Sequence, residues 1–497
     1  TIGSRRFSIK YPPERGALLH MAQSMGRDNV EATSMCQLLV NLWPLLLGNV
    51  LEWYDFGIYS FLAPNIKVAF FHSSSISTWA GYTVTFLLRP FGGLVNGWIA
   101  DNYGRRVSIL VSIIGMLAAT VGQGLLPAFN CCGDNWGTVG LALLLLLRAL
   151  QGLSAGGELG PIVSYFAESA PPNRTCAATG LLLSSAGLGF LSANLLVTLV
   201  VDLLSPEEMA MWGWRIPFLV SLVPGSIALW GRSKLAESAE FVRMVVEQQQ
   251  DNLDNQHITE DGKPLQLRLR DHTRALLVGF LSTCNVAVAY YSGLWCPSYL
   301  KSRGLDGTSS LVAGCFFTCI VMVTWMLLPL LNDLFCRIDP LKIMLVGSLG
   351  SAVVSFPVWY ALNASSSDDK LTWMSFLVLG IYGLAIGIAG SHMYVFVADL
   401  FPTHLRALGF GMSFNAAMAF VGGSTPLINA SLLETEWDLG VGLYWSVMAI
   451  VSALATTWGI VCRRSGTLPS HLLSNKENKE VHAKTALGTS DSGEVNT

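Results

Sequence analysis

Charge is what this sequence has least of. Asp, Glu, Lys and Arg make up 13% of its 497 residues, against about 25% in a soluble globular domain, which is too little to clothe a chain of this length for water. The 30 basic and 33 acidic residues nearly cancel, for a formal charge of −3, so nothing points to a nucleic-acid partner. None of the ten cysteines falls in a zinc-site spacing, and no nucleophile–base or metal-ligand constellation is visible. No enzyme activity and no cofactor are therefore expected. Alternating strand patterns and charged helix faces are also missing, and the polar tail from Gly466 carries no heptads.

Apolar runs fill the chain instead. Hydrophobic residues reach 52% and the mean hydropathy is +0.49. Runs long enough to cross about 30 Å of hydrocarbon as helix fall near 36–63, 78–100, 107–129, 138–167, 177–204, 214–231, 274–300, 308–331, 342–362, 372–398, 405–432 and 439–462. The fold class is an all-α polytopic membrane protein of twelve transmembrane helices. The expected divisions are an N-terminal cytoplasmic tail (1–35), six spans (36–231), a hydrophilic cytoplasmic loop (232–273), six more spans (274–462) and a disordered cytoplasmic tail (463–497). Residues 1–35 show no cleavable leader, so the first span is expected to act as the insertion signal.

Basic residues mark the cytoplasmic side. With both termini inside, the inner loops collect Arg105, Arg106, Arg174, Arg232, Lys234, Arg337, Arg406, Arg463 and Arg464, while the outer loops keep Lys67, Arg215, Lys301, Arg303 and Lys370. The sequon at Asn363 then lies outside and the one at Asn173 inside. In a eukaryotic cell, glycan is expected on Asn363 alone. Cys131 and Cys132 fall in an outer loop, open to oxidation.

The two halves repeat at an offset of about 231–236 residues. Asn49, Val50, Tyr54 and Gly57 match Asn285, Val286, Tyr290 and Gly293; Asp101 and Arg105 match Asp333 and Arg337; Gly152 and Gly156 match Gly383 and Gly387; Glu168 and Pro171 match Asp399 and Pro402. Two pseudo-symmetric six-helix bundles follow, an arrangement suited to rocking about a central site.

Against this repeat the intramembrane charges stand out. Glu52, Asp55, Arg148 and Glu158 correspond to Val288, Tyr291, Leu379 and Ala389, so the fold alone does not require them. Each ionisable group at membrane depth costs roughly 2.5–3.5 kcal/mol on insertion scales. Glu52, Asp55, Arg89, Arg148 and Glu158 are candidates for a substrate and proton site, with His392 read as packing. Three carboxyls face two guanidiniums, which leaves one acid without a permanent cation as the place to look for proton coupling.

GWIADNYGRR (97–106) resembles the loop signature of the major facilitator superfamily, and RALQGLSA (148–155) its fourth-helix motif. More narrowly, GNVLEWYDFGIY (48–59), RPFGG (89–93), RALQGLSAGGE (148–158), WGWRIPF (212–218) and DLFPTHLR (399–406) together resemble the metabolite:proton symporter family, which includes proline/betaine, alpha-ketoglutarate, citrate and shikimate carriers. The resemblance implies the major facilitator fold and transport by alternating access. It adds Gln151, Asn285, Tyr290 and Tyr291 to the substrate and proton site. It also implies a cytoplasmic gate of Gly97, Asp101, Gly104, Arg105, Arg106, Glu168, Arg174, Asp333, Arg337, Asp399 and Arg406. The expected partners are a small organic solute, protons (alternatively Na+) and the bilayer, here the plasma membrane, with a monomer sufficing. A zwitterion such as proline or betaine, or a monocarboxylate, is the leading substrate. Open alternatives are a di- or tricarboxylate, uniport or exchange without proton coupling, and a sensor.

Overall fold

The computed structural model describes residues 34–234 and 271–473 except 104, 172, 365–367, 436 and 438, and only the backbone at 97, 98, 100–103, 105, 106, 368–372, 403 and 404. The expectations for the N-terminal tail, most of the central loop and the side chains of Gly97, Asp101, Gly104, Arg105 and Arg106 lie outside the described residues.

Every expected span is helical. The first half holds α1 (Met35–Phe61), α2 (Ser75–Tyr103), α3 (Arg105–Gly124), α4 (Phe129–Ala155), α5 (Leu159–Ser169), α6 (Thr175–Leu203) and α7 (Leu222–Ser233). The second holds α8 (Thr273–Ser302), α9 (Gly307–Leu331), α10 (Pro340–Ala364), α11 (Asp368–Gly390), α12 (Met393–Asp399), α13 (Thr403–Ala416), α14 (Thr425–Glu434) and α15 (Gly440–Arg464). Among the described residues eleven helical stretches are long and apolar enough to cross a membrane; α2 is the remaining long one, with 29 residues. Large apolar side chains such as Leu94, Val353 and Leu454 stand 65–72% exposed on the outside, as lipid contact requires.

Four spans are broken rather than straight, the sixth by a turn at Ser221 between Ile216–Val220 and α7. In the fourth, α4 gives way to α5 through Gly156, Gly157 and Glu158; in the tenth, α11 gives way to α12 at Ser391 and His392; in the eleventh, α13 and α14 are joined by a wide turn over Ala417–Gly422. A break frees backbone carbonyls, which in a membrane must be satisfied by neighbouring protein. Accordingly Asn415 Nδ2 donates to the Gly156 carbonyl at 2.9 Å and Asn96 Nδ2 to the Ser154 carbonyl at 3.0 Å.

Helices in lipid gain no hydrophobic drive from meeting each other, so close backbone approach at small residues does much of the packing. A Cβ on Gly152 would lie 2.1 Å from the Thr85 carbonyl oxygen, and one on Gly156 only 1.9 Å from that of Arg89. These glycines hold α2 against α4 and so fix the depth of Arg89.

Two boundaries differ from expectation. Cys131 and Cys132, expected in a loop, sit in a helical turn that a kink at Gly133 (φ 75°, ψ 178°) sets off from the rest of α4, and both are free thiols. The tail expected to be disordered from 463 is ordered at its start: residues 465–473 turn back under the second half, with Leu468 and Leu472 buried. Asn363 ends α10 half-buried, its amide oxygen accepting from the Tyr299 hydroxyl at 2.9 Å.

Candidate functional site

The intramembrane charged side chains Glu52, Asp55, Arg89, Arg148 and Glu158 are all withdrawn from solvent and sort into three groups. Glu52 on α1 pairs with Arg89 on α2, the two being 1% and 0% exposed. The guanidinium uses Nη2 alone; its Nε and Nη1 have no partner among the described residues. Its carbon lies 5.2–6.0 Å from the ring centres of Trp53, Phe56 and Phe86, so aromatic faces supply the rest of its stabilisation.

Asp55 forms no ion pair with an arginine among the described residues. Its carboxylate accepts from the Thr120 hydroxyl at 2.7 Å. Gln151 Nε2 reaches the same hydroxyl at 3.4 Å, and Gln151 Oε1 accepts from Arg148 at 2.8 Å. Arg148 is turned to the Tyr82 carbonyl (3.2 Å) and lies 4.3 Å from the Tyr59 ring centre. Asp55 and Arg148 are therefore joined through two neutral side chains, although their positions had placed them in one site with Glu52 and Arg89.

Glu158 belongs to the third group. It pairs with Arg232 at the end of α7 and accepts from Ser112 at 2.9 Å. Arg232 had been assigned to a cytoplasmic loop as a topology signal. Instead it is 0% exposed, its guanidinium lying in space left by Gly48, where a Cβ would fall 1.6 Å from Nη2. The expected surplus carboxyl must be recounted. Three acids now face three guanidiniums, and the acid without a directly bound cation is Asp55.

Between the halves lies a small cavity of about 20 Å3. Trp53 and Ala186 wall it from the first half, and Tyr290, Tyr291, Trp325 and Tyr394 from the second. The hydroxyls of Tyr290, Tyr291 and Tyr394 and the indole N–H of Trp325 have no hydrogen-bond partner among the described residues. Glu52 and Arg89 do not line it; they stand behind the lining residue Trp53, whose ring centre is 5.6 Å from the Arg89 guanidinium carbon. Asn285 does not line it; its backbone N–H donates to Ser452 at 3.1 Å and its side-chain Nδ2 has no partner among the described residues. His392 is 1% exposed, with Nδ1 2.8 Å from the Ser391 hydroxyl.

The sequence reasoning missed Trp53, Trp325, Tyr394 and Thr120. Trp53 and Tyr394 stand beside flagged residues, but a lone aromatic or Thr in a span is ordinarily packing, and no local signal separates these from the others.

Both ends of the cavity are shut. At the face where α1 ends and α8 ends, the Ser60 hydroxyl donates to the Leu294 carbonyl (3.3 Å) and Thr83 to the Gly423 carbonyl (2.9 Å), while the Phe86 ring lies 5.2 Å from that of Tyr291. At the other face, where α1 begins and α15 ends, Glu168 pairs with Arg406. There too the Asp333 carboxylate accepts from the Ala177 N–H at 2.7 Å, a carboxylate at a helix N-terminus. Arg174 is within electrostatic reach of Asp333, whereas Arg337 takes a left-handed backbone and is exposed, its backbone N–H donating to the Asn332 carbonyl at 2.8 Å. Asp399, expected in the cytoplasmic gate, binds Arg463 at 2.6 Å within its own half.

Two six-span halves closed over a central cavity, with separable contacts at each end, define an integral membrane carrier. A family model of the Major Facilitator Superfamily matches residues 45–426, and the chain belongs to that superfamily. It is 32% identical over 410 residues to a putative proline/betaine transporter of Staphylococcus haemolyticus, covering 80% of this chain and 82% of that one. With the proline/betaine transporter of Salmonella typhimurium it shares 30% over 460 residues, 89% of this chain and 87% of the relative. An ectoine/proline transporter of Corynebacterium glutamicum is also 30% identical, over 82% and 81%. In fold it matches the partially occluded, inward-open xylose transporter of E. coli with a TM-score of 0.64 at 15% identity, over 86% of this chain and 97% of that one. The protein is a multi-pass secondary transporter of a small solute, and not an enzyme.

Proposed function

We propose that the protein carries a small zwitterionic metabolite together with a proton, and that the cavity between the halves is the substrate site. The observation that supports this most is the set of unpartnered donors around an aromatic enclosure, three tyrosine hydroxyls and the Trp325 indole N–H, with the free Nε and Nη1 of Arg89 behind the Trp53 ring. A buried donor left unpaired costs about 1–3 kcal/mol, so the cavity favours a ligand bearing a carboxylate. The rings of Trp53, Tyr290 and Trp325 suit the cationic end, each cation–π contact contributing roughly 0.5–2 kcal/mol. Of the two candidate guanidiniums only Arg89 lies against a lining residue, Trp53, while Arg148 is turned toward Tyr59 and Gln151, and this favours one carboxylate over two or three. The relatives named for proline, betaine and ectoine agree with that choice.

The proton is assigned to Asp55, which has a hydroxyl rather than a cation against it. Substrate on Arg89 competes with Glu52 for the guanidinium and so draws on the neighbouring charge network, which is how occupancy of the cavity reaches Asp55. Alternating access would follow by parting the Glu168–Arg406 and Asp333–Ala177 contacts at one face or the Ser60–Leu294 and Thr83–Gly423 contacts at the other. In the plasma membrane, with both termini cytoplasmic as the basic loops indicate, the first set is the inner gate.

Uptake of labelled betaine, proline, 2-oxoglutarate and citrate into proteoliposomes, with and without an imposed inward proton gradient, tests the reading. Gradient-driven accumulation of a zwitterion, lost in folded Asp55→Asn, is expected. Uptake indifferent to the gradient, and unchanged by that substitution, would overturn proton symport.

A further inference from the structure

The chain just beyond the last span makes a set of contacts that transport itself does not call for. After α15 the backbone turns at Ser465 and Gly466 and returns to α12. There Asp399, 0% exposed, is surrounded by it. Its carboxylate accepts from the Ser470 hydroxyl (2.9 and 2.8 Å), the Leu472 N–H (2.7 Å) and the Leu473 N–H (3.0 Å), besides Arg463. Its carbonyl accepts from the His471 N–H at 3.1 Å. Arg463 also reaches Asp339 at 3.4 Å, at the start of α10. Three donors from one short segment converge on a single carboxylate, so the segment is held by charge-assisted bonds, which are roughly twice as strong as neutral ones.

This anchorage places Leu472, 5% exposed, in an apolar cluster with Ala167, Cys176 and Val395. Val395 belongs to α12, in the same half as the segment. Ala167 and Cys176 belong to α5 and α6, in the other half. The same seam holds the Glu168–Arg406 pair and the Asp333–Ala177 bond. A leucine tethered to one half and seated against the other spans the line along which the two halves would part.

We propose that residues 465–473 are a strap that holds this face of the transporter closed, with Asp399 as its catch and Leu472 as its wedge. Opening at this face requires Leu472 to leave Ala167 and Cys176, and release of the strap from Asp399 shifts the population toward the conformation open on this side. The consequence for flux rests on the alternating access proposed above; the closure itself does not.

Cys176 reports on the strap without any substrate. It is 5% exposed beneath Leu472, so its alkylation by a maleimide, read by peptide mass spectrometry on the full protein in nanodiscs, measures how often this face opens. Two chain ends make the comparison: a chain stopped after Leu473 keeps the strap, and one stopped after Pro469 lacks its catch contacts. Cys176 is expected to label severalfold faster in the shorter chain, and in full-length Leu472→Glu and Ser470→Ala, than in the chain stopped after Leu473. Equal labelling in all of them, with monodisperse folded protein, overturns the strap. If labelling rises while gradient-driven uptake fails in every form, the strap stands and the transport reading falls.

Discussion

Removing the charge of Glu52 while keeping its shape, as in Glu52→Gln, leaves the Arg89 guanidinium buried at 0% exposure with aromatic rings as its nearest company. Breaking a buried ion pair at one partner costs about 3–5 kcal/mol, a factor of more than a hundred in the folding equilibrium at about 1.4 kcal/mol per tenfold. The reverse change, Arg89→Met, should cost less. A carboxylate left alone can be neutralised by a proton, whereas a guanidinium stays charged. The double variant removes both charges and should recover most of the loss, since replacing a buried pair by apolar groups of similar volume is often neutral. Reversible unfolding of the purified protein in mixed detergent–SDS micelles, followed by tryptophan fluorescence, gives all four corners of the cycle. Expected is a coupling of about 3 kcal/mol or more between the two sites, with the double variant folded yet unable to accumulate substrate, because the anion anchor is gone. A single Glu52→Gln that costs under about 1 kcal/mol, as an exposed pair would, refutes the buried-pair reasoning. Full uptake by the folded double variant refutes Arg89 as the anchor.

Three shorter predictions follow from other contacts. Thr120→Val removes the hydroxyl that donates to Asp55 and meets Gln151; stimulation of uptake by the proton gradient should fall while gradient-free counterflow persists, and unchanged stimulation would dismiss that link. A Cβ on Gly160 would fall 2.3 Å from the Ala407 carbonyl oxygen of the opposite half, so Gly160→Leu should block closure at the terminal face and raise maleimide labelling of Cys176. Normal closure there would mean the helices part more freely than their backbones suggest. At the start of α9, hydrogen bonds from Ser309 hold the Asp306 carboxyl below its ordinary range. The cap's contribution is therefore present above the unfolded carboxyl value and is lost as pH falls through the lower, folded one. Asp306→Ala should cost about 0.5–2 kcal/mol at neutral pH and less on acidification, and a loss that grows in acid would contradict it.

Much of the architecture is legible in the chain as text. Hydropathy is local, since each residue contributes its own transfer energy whatever its neighbours do, and so the helical spans and the intramembrane positions of Glu52, Asp55, Arg89, Arg148 and Glu158 can be read in order. The internal repeat adds that these charges are not demanded by the fold. Pairing is another matter, because it depends on distance between groups far apart in the chain. Only the folded chain sets Glu52 on Arg89 across 37 residues and Glu158 on Arg232 across 74, which makes Asp55 the acid without a cation. Arg232 reads as a loop residue by hydropathy and becomes a core residue because Gly48 leaves it room. The aromatic walls of the cavity are equally invisible beforehand, for a tyrosine in an apolar span looks the same whether its hydroxyl meets a carbonyl or stands unpartnered. The segment from Ser465 to Leu473 is polar enough to read as loose tail; its order comes from a buried carboxylate more than sixty residues upstream that needs donors, a demand that exists only once the helices have brought the two together.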